Sequence, residues 1–214
     1  MTISVMLADD HAVVREGYRR LLERTRDIEV TAEAASGEEA YRTYCTALPD
    51  VAIMDINLPG VSGVEVTRRI TARDPAARVL VFSMHEDVVF ASRALQAGAR
   101  GYVSKSSAPD VLVDAVRAVA DGRTYVSHDV AQKLAVQLMP GQNVPFADLS
   151  PREFEVFRLL AEGRSIGEIA RSLSLSQKTV SNYQSIVKQK LEADSSAQMV
   201  WIALRRGLVG PGGQ

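Results

Sequence analysis

Four short apolar runs in this chain end in residues able to do chemistry. Ile3–Ala8 runs into Asp9-Asp10, Val51–Asp55 closes on Asp55, Arg78–Ser83 closes on Ser83, and Lys105 follows Gly101–Ser104. As strands of one open parallel sheet, they would gather these side chains beyond its carboxyl edge, where such sheets bind ligands. Three crowded carboxylates would repel and partly protonate. A divalent cation removes the conflict, and oxygen-only ligands with room for water suit Mg²⁺. One carboxylate must stay free to attack phosphorus. Asp55, ending the third of five runs, is the best placed. Mg²⁺ and the Lys105 ammonium would then neutralise phosphoryl oxygens, with the Ser83 hydroxyl donating a hydrogen bond. His11 adjoins the acid pair, but His85 and His128 belong to other elements, so a histidine-ligated metal is not expected.

These residues need a scaffold, and the pattern supplies one. Strands are expected at Ile3–Ala8, Ile28–Ala34, Val51–Asp55, Arg78–Ser83 and Gly101–Ser104. Amphipathic helices are expected near Val13–Arg24, Gly37–Ala47, Gly63–Ala72, Val88–Ala97 and Pro109–Asp121. In the first helix Val14, Tyr18, Leu21 and Leu22 share a face at helical spacing. Strict alternation of five strands with five helices implies an α/β doubly wound parallel sheet covered on both faces. Residues 123–146 read as a linker with one helix near Val130–Leu138, followed by a loop containing Pro140 and Pro145. From Leu149 only helices follow. Ser150 caps the first in a capping-box arrangement with Glu153. Further helices run from Ser165 or Ile166 to Leu173, from Ser176 to about Leu191, and from Ser196 to Arg206, where Gly207 stops the last.

Asp9-Asp10, Asp55, Ser83 and Lys105 resemble the five-residue set of the response-regulator receiver family. Leu58-Pro59-Gly60, Gly98 and Gly101-Tyr102-Val103-Ser104-Lys105 strengthen the likeness, which covers residues 1–122. The resemblance implies a flavodoxin-like sheet of order 2-1-3-4-5, with Asp55 at its centre as phosphoacceptor. It implies Mg²⁺ held by Asp10, Asp55 and the Asn57 carbonyl, with Asp9 acting through water. Tyr102 would be the aromatic switch, drawn inward as Ser83 moves toward the phosphoryl group. A sensor histidine kinase would be the phosphodonor. Phosphoaspartyl enzymes usually place a second Asp two residues after the nucleophile as acid/base. Asn57 stands there and cannot serve as a general acid, so no enzyme is expected.

In Ser176–Leu191, Val180, Tyr183, Val187 and Leu191 form a buried stripe at spacings of three and four. The opposite side offers Lys178, Ser181, Asn182, Ser185 and Lys188, as a helix entering a major groove would. Thr179 near the helix start could bind phosphate through hydroxyl and backbone. The sequence from Leu149-Ser150-Pro151-Arg152-Glu153 to Leu175-Ser176-Gln177-Lys178-Thr179-Val180 resembles the LuxR-type helix-turn-helix, over residues 147–211. With the receiver it is similar to the NarL/FixJ class, and Gly101–Pro109 and Val130–Leu134 resemble the GacA/UvrY branch. Tyr183, Ser181 and Gln184 stand where many members have histidine or a basic residue. The face is therefore short of charge, and binding of double-stranded DNA should depend on a homodimer. The resemblance places Met199 or Trp201 of the last helix against a partner helix.

Bulk properties agree. The chain has 214 residues, 46 % hydrophobic and 24 % charged, ordinary for a globular protein. Residues 1–123 carry 15 Lys/Arg against 18 Asp/Glu, and residues 150–214 carry 9 against 6. An acidic front and a basic back suggest two domains with different partners. No apolar run is long enough to cross a membrane, and no signal peptide is expected because a strand pattern starts at once. Cys45 is the single cysteine, which excludes an internal disulfide and fits the cytoplasm.

Overall fold

The structure is a computed structural model that describes residues 2–84, 88–137, 146, 148–173 and 175–209. The chain divides into two compact units, 1–138 and 139–214. The expected loop at Pro140–Pro145 lies outside the described residues, as does His85.

In the first unit strands and helices alternate as β1 (Ile3–Ala8), α1 (Ala12–Glu23), β2 (Ile28–Ala34), α2 (Gly37–Ala47), β3 (Val51–Met54), α3 (Gly63–Arg73), β4 (Val79–Ser83), α4 (Val88–Gln96), β5 (Gly101–Ser104) and α5 (Pro109–Ala120). All sheet pairs are parallel. The period of two divides the core. Val5, Leu7, Ile53, Leu80, Phe82 and Val103 face α1 and α5, where they meet Leu22, Leu112, Val116 and Val119. Met6, Ala8, Ala52, Met54 and Val79 face α2 and α3, against Ala40, Tyr44, Val66 and Ile70. Strands buried on both sides read as unbroken apolar runs, as these do.

The expected order of the five strands is borne out, and the sheet of the described residues adds a sixth at its edge, giving β2-β1-β3-β4-β5-β6. The sixth, β6 (Tyr125–Val126), and the helix α6 (His128–Gln137) lie in the stretch read as linker. β6 pairs with β5, placing Gly101 beside Tyr125 and Tyr102 beside Val126. α6 packs on α4 and β5 and buries Val130 completely. The physical reason is an open edge: β5 would otherwise present unpaired amides and carbonyls. Gly101 makes the approach possible, because a Cβ there would lie 2.8 Å from the Tyr125 carbonyl oxygen.

The second unit holds α7 (Pro151–Ala161), α8 (Ile166–Ser172), α9 (Gln177–Lys190) and α10 (Ser196–Arg205). Ser150 and Ser165 form capping boxes with Glu153 and Glu168, while Ser176 and Ser195 cap α9 and α10. Each cap satisfies an amide that the helix leaves free, worth about 1 kcal/mol. Val156, Leu159, Ile169, Ala170, Leu173 and Val180 make the core where α7, α8 and α9 meet. Lys190 fastens the end of α9 to the start of α7, donating to Glu153 Oε2 at 2.7 Å and to the Asp148 carbonyl at 3.0 Å.

Candidate functional site

The acid site forms at the carboxyl edge of the sheet, where β1 and β3 end side by side and β5 ends one strand beyond, across β4. The Asp9 amide donates to the Ala34 carbonyl and the Asp55 amide to the Ala8 carbonyl, so both residues continue the sheet ladder by one step. Asp9 and Asp55 are buried, at 1 % and 5 % exposure. Lys105 Nζ reaches back between them, 2.5 Å from Asp9 Oδ2 and 2.7 Å from Asp55 Oδ2. Its ammonium also lies 5.8 Å from the Phe82 ring centroid. Burial raises the Asp55 carboxyl above its ordinary range and the Asp9 charge adds to this, while Lys105 pulls the other way. Burial alone would lower Lys105, but Asp55 and Asp9 hold it above its ordinary value. One ammonium thus serves two buried carboxylates.

Asp10 sits nearer the surface, its Oδ1 2.7 Å from His11 Nδ1. The carboxylates of Asp9 and Asp10 and the His11 ring form a group whose donor atoms lie within 4.8 Å of one another. Two buried carboxylates with a single counter-charge, and a third beside them, fit a hard divalent cation such as Mg²⁺, which prefers oxygen to the His11 nitrogen. Asn57 is exposed, and its amide donates to Asp55 Oδ1 at 3.3 Å. Ser83 is fully buried. Its carbonyl accepts the Lys105 amide at 2.8 Å, and it pairs with Ser104 across β4 and β5. Tyr102, expected to swing inward, is already fully buried, with its carbonyl accepting the Ser127 amide at 3.0 Å.

Three participants were not anticipated. Gly63 opens α3 directly under the phosphoacceptor candidate, and a Cβ there would stand 1.8 Å from the Asp55 carbonyl oxygen. Arg15 donates to the Asp9 carbonyl at 2.6 Å, and Glu33 holds Arg15. The glycine carried a signal in its place just before an apolar helix. Arg15 and Glu33 read as solvated charges, and nothing in their spacing pointed to a backbone oxygen.

In the second unit α9 exposes Lys178, Asn182 and Ser185 on one side, with Ser181 and Lys188 half-buried beside them. The Ser181 hydroxyl donates to the Gln177 carbonyl and that of Ser185 to the Ser181 carbonyl, both at 3.0 Å. Their outward lone pairs are left to accept. Thr179 departs from expectation: its amide donates to Ser176 Oγ at 3.0 Å, and its hydroxyl pairs with the same atom at 2.8 Å. The cap has taken the amide expected for a phosphate. Gln177, Ile186 and Gln189 are also exposed on this helix, and helical spacing from Asn182 would have found Gln189. Met199 is corrected as well: at 1 % exposure it belongs to the domain core and offers nothing to a partner. Trp201 is 55 % exposed, with the Arg205 guanidinium 4.9 Å from its ring.

A doubly wound sheet with this acid site, followed by a capped four-helix unit, defines a receiver joined to a helix-turn-helix. Residues 5–117 match the response regulator receiver domain, and residues 147–203 match the bacterial regulatory proteins of the luxR family. The chain belongs to the response regulators that combine these two domains, and it is a two-component transcriptional regulator by family. It is 42 % identical over 210 residues to the transcriptional activator protein ExaE of Pseudomonas putida, covering 97 % of this chain and 98 % of that one. It is 38 % identical over 208 residues to the response regulator UvrY of Escherichia coli K12, covering 96 % and 95 %. The expected likeness to the UvrY and GacA regulators is borne out. Among solved structures, RcsB of Salmonella enterica bound to promoter rprA superposes with TM-score 0.69 at 27 % identity, covering 94 % of this chain and 98 % of that one. A LuxR-family response regulator from Aurantimonas superposes with TM-score 0.62 at 51 % identity, covering 64 % and 97 %.

Proposed function

We propose that Asp55 is the phosphoacceptor of a phosphorylation-controlled transcription factor. The observation that carries this reading is the Lys105 ammonium held within 2.7 Å of both Asp9 and Asp55. A sensor histidine kinase presents a phosphohistidine; an Asp55 oxygen forms a bond to phosphorus as the P–N bond breaks, and the electron pair stays on the imidazole. Asp9, Asp10, Asp55 and Asn57 would hold Mg²⁺, which when bound would supply charge neutralisation for the phosphoryl oxygens. Lys105 is freed from Asp55 as the carboxylate becomes an acyl phosphate, and it pairs with a phosphoryl oxygen instead. Ser83 donates to another, and the resulting shift passes to Tyr102 and β6. Asn57 gives no general acid, so the chain stores the phosphoryl group rather than catalysing turnover on a separate substrate. Among the described residues no helix is long and apolar enough to cross a membrane, and the site of action is the cytoplasm.

The second unit binds double-stranded DNA through α9. Lys178 and Lys188 contact phosphates; Ser181, Asn182 and Ser185 face base edges. Thr179 contributes by fixing the cap. Active molecules form a homodimer through Trp201 of α10.

Incubation of the full chain with acetyl phosphate and Mg²⁺ tests the site. One phosphoryl group should be added, seen as a single mass increment, and both EDTA and Asp55→Asn should abolish it. Labelling of Asp55→Asn at the wild-type rate rejects the assignment.

A further inference from the structure

The turn between β1 and α1 carries both Asp9 and Asp10, and its shape rests on few contacts. The Asp9 amide is tied to the Ala34 carbonyl. The His11 amide donates to Asp9 Oδ1 at 2.8 Å. The Asp9 carbonyl accepts Arg15 Nη1 at 2.6 Å. Lys105 holds the Asp9 carboxylate, whereas Arg15 holds the backbone, and the Arg15 side chain is itself held: its Nε donates to Glu33 Oε2 at 3.1 Å. Arg19 binds the other oxygen of Glu33 at 2.7 Å. Glu33 belongs to β2, the edge strand beside β1, so a rigid element of the sheet is braced against the turn. The Arg15 side chain is 16 % exposed, so solvent competes little for these hydrogen bonds.

We propose that Arg15 is a positioning residue for the acid pair: its guanidinium, held by Glu33, fixes the Asp9 carbonyl and so presets the turn on which Asp9 and Asp10 receive a divalent cation. The inference rests on the cation-assisted phosphorylation described above and adds a residue to it. Arg15 touches neither cation nor phosphoryl group; it acts through the Asp9 peptide. Residues that orient metal ligands from behind commonly change affinity by about 10-fold to 100-fold when removed.

Electrostatics makes the proposal sharp, because the bland alternative predicts the opposite sign. Removing a cationic side chain near three carboxylates should tighten binding of a second cation by Coulomb's law. Only lost positioning makes it weaker.

The test uses the full chain with Arg15→Met and Arg15→Gln. Mg²⁺ affinity is measured calorimetrically without any phosphodonor, and Asp55 labelling by acetyl phosphate is followed across Mg²⁺ concentrations. Both variants should bind Mg²⁺ about tenfold more weakly. The Mg²⁺ midpoint for labelling should move by the same factor, while the rate at saturating Mg²⁺ stays near wild type. Arg15→Lys keeps the charge on a single nitrogen without the fork, and should recover part of the affinity. In a Glu33→Ala background, where the brace has lost its anchor, Arg15→Met should change affinity far less than it does alone. Unchanged or tighter Mg²⁺ binding in folded Arg15→Gln overturns the proposal, as does a lowered maximal rate at unchanged affinity. Should Arg15→Met fail to fold, Arg15→Gln decides alone; should both fail, an affinity for Arg15→Lys equal to or tighter than wild type overturns it, since a single nitrogen cannot span Asp9 and Glu33 as the fork does. A wild-type chain that binds Mg²⁺ yet takes no label would instead reject phosphorylation at Asp55 and leave the brace standing on the binding data.

Discussion

Lys105 is the residue on which the charge of the acid site balances. Its side chain is 7 % exposed, and those of its partners Asp9 and Asp55 are 2 % and 7 %. Removing one partner from such a buried cluster costs about 3–5 kcal/mol, because the remaining charges lose their compensation. Lys105→Met should therefore lower the melting temperature markedly in EDTA. Added Mg²⁺ should return a large part of the loss, since a divalent cation neutralises the same two carboxylates. A drop of equal size with and without Mg²⁺ would mean that the lysine matters for packing and not for charge. The acid set was legible in the sequence because carboxylates and a lysine at strand ends have few structural uses in combination. Arg15 was not legible for the converse reason: an arginine on an amphipathic helix is nearly always a solvated charge, and its partner here is a carbonyl six positions away. Met199 and Trp201 illustrate the same limit, since both are large apolar residues on one helix and only packing decides that the first is core and the second surface.

At the scale of elements, long periodic segments were read well and short ones poorly. Among the described residues the five longer strands and ten helices fall within a residue or two of expectation, because burial imposes periods of 2 and 3.6 on their sequences. β6 has two residues and so no period to read; it exists because β5 has an edge to fill. That dependence is testable through Gly101. A Cβ there would meet Leu80 Cδ1 at 2.7 Å and the Tyr125 carbonyl oxygen at 2.8 Å. Gly101→Ala should cost about 1–3 kcal/mol of stability through overpacking. The Tyr125 and Ser127 amides, which donate to the Arg100 and Tyr102 carbonyls, should lose protection from hydrogen exchange before the amides of β1 and β3 do. Retained protection at Tyr125 and Ser127 would show that the edge strand needs no glycine beneath it. For α9 the prediction concerns division of labour. Lys178→Ala should weaken binding to all DNA sequences and reduce the salt slope by about one. Asn182→Ala should narrow the gap between preferred and non-preferred sites, since its amide can pair with both donor and acceptor of a base edge. An altered preference in Lys178→Ala with none in Asn182→Ala would reverse the two roles.

For the whole molecule, the question is how chemistry in one unit becomes affinity in the other. Self-association is a sufficient link, because pairing two DNA-binding heads turns the second contact into an intramolecular one without adding any new interaction. The surface of α10 suits this. Trp201 is 55 % and Leu204 42 % exposed, three residues apart and so neighbours on one side of the helix. Arg205 covers the ring at 4.9 Å and keeps the patch soluble when it is alone. Met199 and Ala203 meanwhile hold the helix to its own core. Two copies meeting at this stripe about a two-fold axis would each bury the same residues, and a tryptophan at the centre of such a contact is the usual place for binding energy to concentrate. Trp201→Ala should leave the melting temperature of the second unit almost unchanged, since the ring is largely in solvent. It should weaken dimerisation of the phosphorylated chain by about 2 kcal/mol, roughly thirtyfold. Affinity for DNA with two half-sites should fall with it, whereas affinity for one isolated half-site should not move. Sedimentation and binding to both DNA lengths, with and without acetyl phosphate, separate the possibilities. A variant that still dimerises on phosphorylation like the wild type would clear Trp201 of the role and move the contact to the receiver; equal loss on both DNA lengths would place the residue at the DNA instead.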